Sequence, residues 1–418
     1  MTGSPTTSTH VLHAALIPAP ALVDERRTLY RLAAEMFSPG TELSDNFADH
    51  PIVRYEIGKA LAGHGDVDPA LLIQVATMGV RDAGVLVASD PTAAEVLEAP
   101  LRIVAPPGVR PEPLTEADGE RFESALHIIE EGVRLLEKFA PDMAEDLLAH
   151  VSMLAVLKRE TSGGLVSASS RYVPGIVLID EPTLPMEVAE ALVHEGAHEK
   201  FFDLAIAREF LDESAEDADY FETSWSHAQW PLEQTFAAWH AYSCLAQFNL
   251  SVGSEQIGPD SLLVKARERA DEIGEWLLKH ESDLRADARW LLRGLAGDTV
   301  ELRGEAAAQS QVDGVTLSSE ISDDRHFCLL PDVRHKRAAS GRVAVGRAAR
   351  PPLVFWLDED ASWTLDQWRI DGEAKTLGQM LARAAEEWQV DPVTAAVRLR
   401  AALGSLLDFS IVGLLEEH

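Results

Sequence analysis

The sequence predicts a mainly α protein with a small β component, in which a helical domain carries an HExxH motif on a core helix and a small α+β domain follows it. Three observations lead there. Apolar residues recur at helical spacing through most of the chain, short β-prone runs interrupt them between Leu165 and Ile179, and strand-like runs precede helical ones after Arg350. With 418 residues and 46% hydrophobic content, the chain has apolar material for more than one core.

The elements follow in order. The first twenty residues, rich in Ser, Thr, Pro and Ala, are read as loose, whereas Leu22 to Met36 and Ile57 to Val80 carry helical periodicity. The proline-rich stretch VAPPGVRPEPLTEADGE, Val104 to Glu120, is read as a boundary that caps a helix beginning near Glu116. Residues 1–115 are thus an N-terminal helical region and 116–305 the motif-bearing domain. Within the latter, a helix through Ile128, Ile129, Val133, Leu135 and Leu136 leads to another from Pro141 to about Glu160. Leu165-Val166 and Ile176 to Ile179 are read as a strand pair. Thr183 and Pro185 then signal a helix through HEGAH to about Phe210. After an acidic loop from Asp212 to Glu222, Pro231 opens the helix PLEQTFAAWHAYSCLAQF, and two more follow at Pro259 to His280 and Asp283 to Leu295. Gly304 to Asp324 lacks apolar periodicity and is read as a linker, leaving 322–418 as the C-terminal α+β domain. There, PPLVFWLDED and SWTLDQWRI read as strands; Thr376 and Asp391-Pro392 start two helices.

Charge and composition exclude several functions. A net charge of −33 repels a phosphate backbone, so nucleic acid is not an expected partner. The opening MTGSPTTSTH is no secretory signal, and no run reaches the apolar length of a membrane span, so a cytoplasmic protein is expected. Cys244 and Cys328 form no CxxC pair, which suggests neither a disulfide framework nor a thiolate zinc site. Oligomeric state is not legible.

The chemistry concentrates in HEGAH. Residues four apart stand one above the other on a helix, so His194 and His198 can present both imidazoles to one ion, with Glu195 beside them. In zinc hydrolases of this spacing the histidines are ligands and the glutamate is the general base. A third ligand must come from elsewhere, because EKFFDLA follows the motif. His240, Glu233 and His227 are the options, and His240 is the choice; Glu233 shares its helix face and could orient an imidazole.

The stretches SASSRYVPGIVLID, ALVHEGAHEKFFDL and WPLEQTFAAWHAYSCLAQF, from Ser167 to Phe248, resemble the HEXXH-motif proteins found beside genes for ribosomally made, modified peptides. That family is understood as non-haem iron(II), α-ketoglutarate-dependent peptide β-hydroxylases. The resemblance implies iron in place of zinc, a ribosomal precursor peptide as partner, and His194, His198 and His240 as ligands. Glu195 matches the motif glutamate. Where the family often has Arg-Pro before its second helix, this chain has Trp230-Pro231. An α-ketoglutarate site also needs a cation; Arg171 and Lys200 are nearest in sequence, and Ser169 or Ser170 could donate a hydrogen bond. The C-terminal layout resembles the PqqD-like precursor-recognition element, a winged-helix module that binds a leader peptide by strand addition. A zinc metallopeptidase with Glu195 as base, and a non-catalytic leader-binding scaffold, stand as the alternatives.

Overall fold

The computed structural model describes residues 19–37, 40, 42–104, 108–207, 210–211, 220–253, 257–258, 261–285, 288–289, 291–292, 325–330, 333–337, 343–347, 353–369, 375–408 and 411–414. The protein is 61% helical with a few small sheets. Residues 1–18 of the N-terminal stretch read as loose, most of the acidic loop and the linker read from Gly304 to Asp324 lie outside the described residues. Among those described, no helix is long and apolar enough to cross a membrane. The chain divides into two compact units, residues 1–30, 42–60 and 65–299 in the first and 31–41, 61–64 and 300–418 in the second.

The first unit is built on a five-stranded sheet. Its strands are β1 (Val80–Asp82), β2 (Leu86–Ala88), β3 (Met153–Leu157), β4 (Ser167–Ala168) and β5 (Ile176–Asp180), in the spatial order β1-β2-β3-β5-β4. β2, β3 and β5 run parallel, while β1 and β4 are antiparallel edges. The expected helix from Pro141 to Glu160 is corrected here: it ends at Leu148, and MLAVL is the central strand β3, every residue of it buried. A parallel strand covered on both faces is apolar throughout, and so short a run carries no period to separate strand from helix. The expected strand at Leu165-Val166 falls one step later, as the two residues of β4. The single helix expected from Ile57 to Val80 is also broken, into helices Pro51–Leu61 and Pro69–Thr77 followed by β1. The proline-rich stretch read as a domain boundary is stitched to this sheet, since Leu114 N–H donates to Val156 O at 2.7 Å and Lys158 N–H to Glu112 O at 2.9 Å.

The main helices of this unit are α1 (Ala19–Phe37) as far as Tyr30, α2 (Pro51–Leu61) as far as Ala60, α3 (Glu120–Phe139), α4 (Pro141–Leu148), α5 (Pro185–Ala207), α6 (Leu232–Ser251) and α7 (Leu263–Lys279). α3 is amphipathic, burying Phe122, Ala125, Leu126, Ile129, Val133 and Leu136. Where it meets α5 it carries Gly132, whose added Cβ would lie 2.6 Å from Val188 Cβ and 2.7 Å from the Pro185 carbonyl oxygen. α5 and α6 are buried along most of their length, enclosed by other helices. α5 packs against α3, α4 and α6, and α6 against α7. Pro185 opens α5 as expected, but Thr183 does not cap it; the Glu187 carboxylate reaches back to accept the Thr183 and Leu184 N–H groups at 2.8 and 3.1 Å. A short hairpin of β6 (Phe221–Glu222) and β7 (Gln229–Trp230) precedes α6.

The second unit has its own core around Phe327, Val345, Leu365 and Leu399. β8 (His326–Leu329), β12 (Lys375–Thr376) and β13 (Val412–Leu414) form one sheet; β9 (Val333–Arg337), β10 (Val343–Arg347) and β11 (Leu353–Leu357) form an antiparallel meander. Its helices are α8 (Glu359–Arg369), α9 (Leu377–Glu387) and α10 (Pro392–Asp408). Of SWTLDQWRI, expected as a strand, Ser362 to Arg369 lie in α8, and Ile370 is outside the described residues. Asp358 caps it by accepting the Ala361 N–H at 2.7 Å, and Ala361, Leu365 and Trp368 recur on its buried face at helical spacing, outweighing the β preference of its tryptophans and threonine. The start signals at Thr376 and Asp391 are borne out: Thr376 forms a capping box with Gln379, and Asp391 accepts N–H groups from Val393 and Thr394.

Candidate active site

β5 leads within a few residues into α5, which places HEGAH in the middle of a buried helix. The His194 and His198 rings stand 4.9 Å apart between centroids, edge to face. Burial, then the Arg269 charge, pushes His194 down to about 4. Burial, then His194, does the same to His198, to about 4, against the pull of Glu195. Both imidazoles are therefore neutral near pH 7 and keep a lone pair for a ligand. His194 Nδ1 is buried with no hydrogen-bond partner. Gly196 sits where α4 comes close: an added Cβ would meet Leu147 Cβ at 3.2 Å and its carbonyl oxygen at 3.4 Å.

His240 comes from the neighbouring helix α6 and is fully buried. Its Nδ1 lies 2.9 Å from the carbonyl oxygen of Ala197, between the motif histidines in sequence. Since a carbonyl only accepts, Nδ1 carries the proton and Nε2 the lone pair. The donor types suit a divalent first-row metal. Among the described residues, however, no group of three His, Cys, Asp or Glu side chains stands close enough to hold an ion; the motif pair is together and a third donor is not drawn in. The other third-ligand options point elsewhere. His227 is exposed, in a left-handed turn with φ 54°, beside Glu222 at 3.3 Å. Glu233 is ion-paired with Arg171.

The remaining expected site residues fare unevenly. Glu195 is buried, and both its carboxylate oxygens are occupied: Ser167 Oγ–H donates to Oε1 at 2.7 Å and Ser169 Oγ–H to Oε2 at 2.6 Å. The edge strand β4 and the turn after it are thereby tied to the motif helix. Ser169 thus serves Glu195, and Ser170 Oγ accepts the Tyr172 N–H at 3.3 Å. Arg171, expected as an anion clamp, spends its charge on Glu233 and lies over the Tyr172 ring at 5.1 Å. Lys200 is fully buried, with Nζ 2.5 Å from Asp146 Oδ1.

Sequence reasoning missed two sets of residues. One borders the histidines: the Tyr242 ring on α6 is 5.6 Å from that of His194, and Arg269 on α7 donates through Nη1 to the Tyr242 hydroxyl at 2.8 Å. The other lies behind the motif on α5. Asp203 accepts from Arg26 Nη1 and from His150 Nδ1, each at 2.5 Å. Arg26 and Arg54 share Asp49, at 2.7 and 3.0 Å. Glu199 accepts the Gly175 N–H at 2.6 Å, yet burial raises its carboxyl well above the ordinary range. Only the spacing of Glu195, Glu199 and Asp203, four apart on one helix, could have flagged a polar stripe inside an otherwise apolar helix.

Compared with protein-family models and with curated proteins, the chain matches none.

Proposed function

We infer that the protein is a non-haem iron(II), α-ketoglutarate-dependent hydroxylase that acts in the cytoplasm on a ribosomally made precursor peptide. The observation that carries this reading is the state of the motif: two neutral imidazoles one helical turn apart, and a glutamate whose two oxygens are each held by a serine hydroxyl. A hydrolase needs that carboxylate turned to a water as general base. Held by Ser167 and Ser169, Glu195 instead fixes the edge strand β4 against α5, a positioning role that oxidation of a side-chain carbon allows.

His194 and His198 are the ligands in this reading, with His240 as the third, its ring set by Ala197 O so that Nε2 carries the lone pair. When bound, iron with α-ketoglutarate supplies dioxygen activation. The chain supplies the ligands, a desolvated surround and peptide binding. Leader recognition falls to the C-terminal unit, in the manner of a PqqD-like element; β9 and β11 are the outer strands of its meander, and strand addition to such an edge binds through the main chain with little demand on sequence.

The test uses anaerobically purified protein. Iron content is measured, and the precursor is then supplied with α-ketoglutarate and air. The expected product is a peptide heavier by one oxygen atom, formed with consumption of the keto acid. A shortened peptide, made without oxygen and lost in Glu195→Gln, would assign a zinc peptidase instead.

A further inference from the structure

The arginines around the motif helix differ in what takes their charge. Arg26 and Arg54 are neutralised by Asp203 and Asp49, and Arg171 by Glu233. Arg269 has no such partner. Among the described residues, its only hydrogen bond is the one from Nη1 to the Tyr242 hydroxyl, its Nε is buried without a partner, and no carboxylate pairs with it. The acid one turn on along its own helix, Glu272, is taken by Ser224, accepting its N–H at 3.2 Å and its hydroxyl at 2.7 Å. In a chain with 69 acidic and 36 basic residues, a half-buried arginine without a carboxylate calls for a cause.

Its mounting supplies one. The guanidinium lies 4.8 Å from the centroid of the Trp225 ring and 5.2 Å from that of Tyr242. Two aromatic rings hold the planar cation without neutralising it and without offering it an acceptor for its remaining N–H groups. Tyr242 also touches His194, ring to ring at 5.6 Å, so cation and imidazole pair flank one tyrosine. The fork of a guanidinium matches the two oxygens of a carboxylate.

We propose that Arg269, held between Trp225 and Tyr242, is the receptor for the far carboxylate of a small dicarboxylic acid whose other end lies at His194 and His198. Resting on the hydroxylase reading, that acid is α-ketoglutarate, and Arg269 takes the role for which Arg171 and Lys200 are nearest in sequence. Trp225 reports on binding, because a carboxylate drawn to the guanidinium changes the charge against its ring.

The experiment titrates α-ketoglutarate, succinate and acetate into metal-free, oxygen-free wild-type protein and into the Arg269→Gln and Arg269→Lys variants. Binding is followed by heat and by tryptophan fluorescence. The dicarboxylates are expected to bind wild type more tightly than acetate does. Arg269→Gln should weaken them roughly tenfold to a hundredfold, the loss expected for a charge-assisted hydrogen-bonded pair. Arg269→Lys should lose less, since it keeps the charge without the fork; if the Gln variant does not fold, the Lys variant decides, and unchanged affinity there overturns the proposal. So does equal affinity of Arg269→Gln and wild type, loss of affinity in Arg171→Gln alone, or a wild type that binds no dicarboxylate. The two readings part cleanly. Arg269-dependent binding without peptide hydroxylation keeps the anion site and removes the hydroxylase, whereas hydroxylation with unchanged α-ketoglutarate affinity in Arg269→Gln does the reverse.

Discussion

The two polar faces of α5 are built on opposite rules. On one face, His194 and His198 are neutral, bordered by Tyr242 and Phe202, and His194 Nδ1 has no partner. On the other, Asp203 is met by both Arg26 and His150, and Lys200 by Asp146. A buried charge that loses its partner is costly, while a buried neutral nitrogen without one costs far less and stays available. The second face therefore holds the helix in place; the first is left open to a ligand. Each of the following substitutions or conditions tests that division.

The largest effect should come from the charged face. Asp203→Ala leaves Arg26, which is almost fully buried, with Asp49 as its one remaining carboxylate, and should lower unfolding free energy by about 3 kcal/mol in denaturant titration. A loss below about 1 kcal/mol would show that the cluster is a bystander and the comparison is wrong.

Acid should dismantle the same face in two steps. Burial, aided by the Arg54 charge, holds His50 at about 4 against an ordinary 6.5. Between those values the unfolded chain takes a proton that the folded chain refuses, so His50 makes stability fall as pH drops from 6.5 to about 4, by roughly 3 kcal/mol, and His194 and His198, held at about 4 as well, add to the fall in the same window. Burial works against ionised Asp203, but Arg26 and the His150 hydrogen bond hold its carboxyl down to about 2, against 3.8. Its stabilisation is complete above 3.8 and is lost as pH falls toward 2. Unfolding midpoints measured across this range should show both segments in wild type, and the lower one should flatten in Asp203→Ala.

Packing between the faces comes next. Gly132→Ala pushes a methyl group against Val188 and the Pro185 carbonyl, which opens the contact of α3 with the start of α5 at a cost of about 1–3 kcal/mol. Calorimetry should show the lower melting temperature, and His194 and His198, farther along α5, should keep their metal affinity. The smallest change in stability belongs to the open face. His194→Ala should shift unfolding free energy by less than about 1 kcal/mol, because it removes a nitrogen that has no partner, yet abolish iron retention. A severe loss of stability there would make His194 a structural residue.

Much of this was legible. The spacing of HEGAH put two imidazoles on one face, the helix bearing His240 was apolar and opened at Pro231, and the signals at Pro185, Thr376 and Asp391 marked true helix starts. Two of the failures share a cause. MLAVL and SWTLDQWRI are short, and their state depends on what covers them: a sheet on both sides for β3, a one-sided core for α8.

The sequence by itself therefore determined which residues can share a helix turn, since that is a matter of local geometry: His194 with His198, and Glu195 with Glu199 and Asp203. Only the tertiary structure decided what each then meets. Arg26 and Asp203 are 177 residues apart, Ser167 and Glu195 28, and Tyr242 and Arg269 27. None of these separations carries a period that a sequence could display. Arg269 shows the consequence: within RERADE it reads as one more solvated charge on a helix, and its place between two rings exists only because α6, α7 and the β6–β7 hairpin pack together, driven by the apolar faces around them.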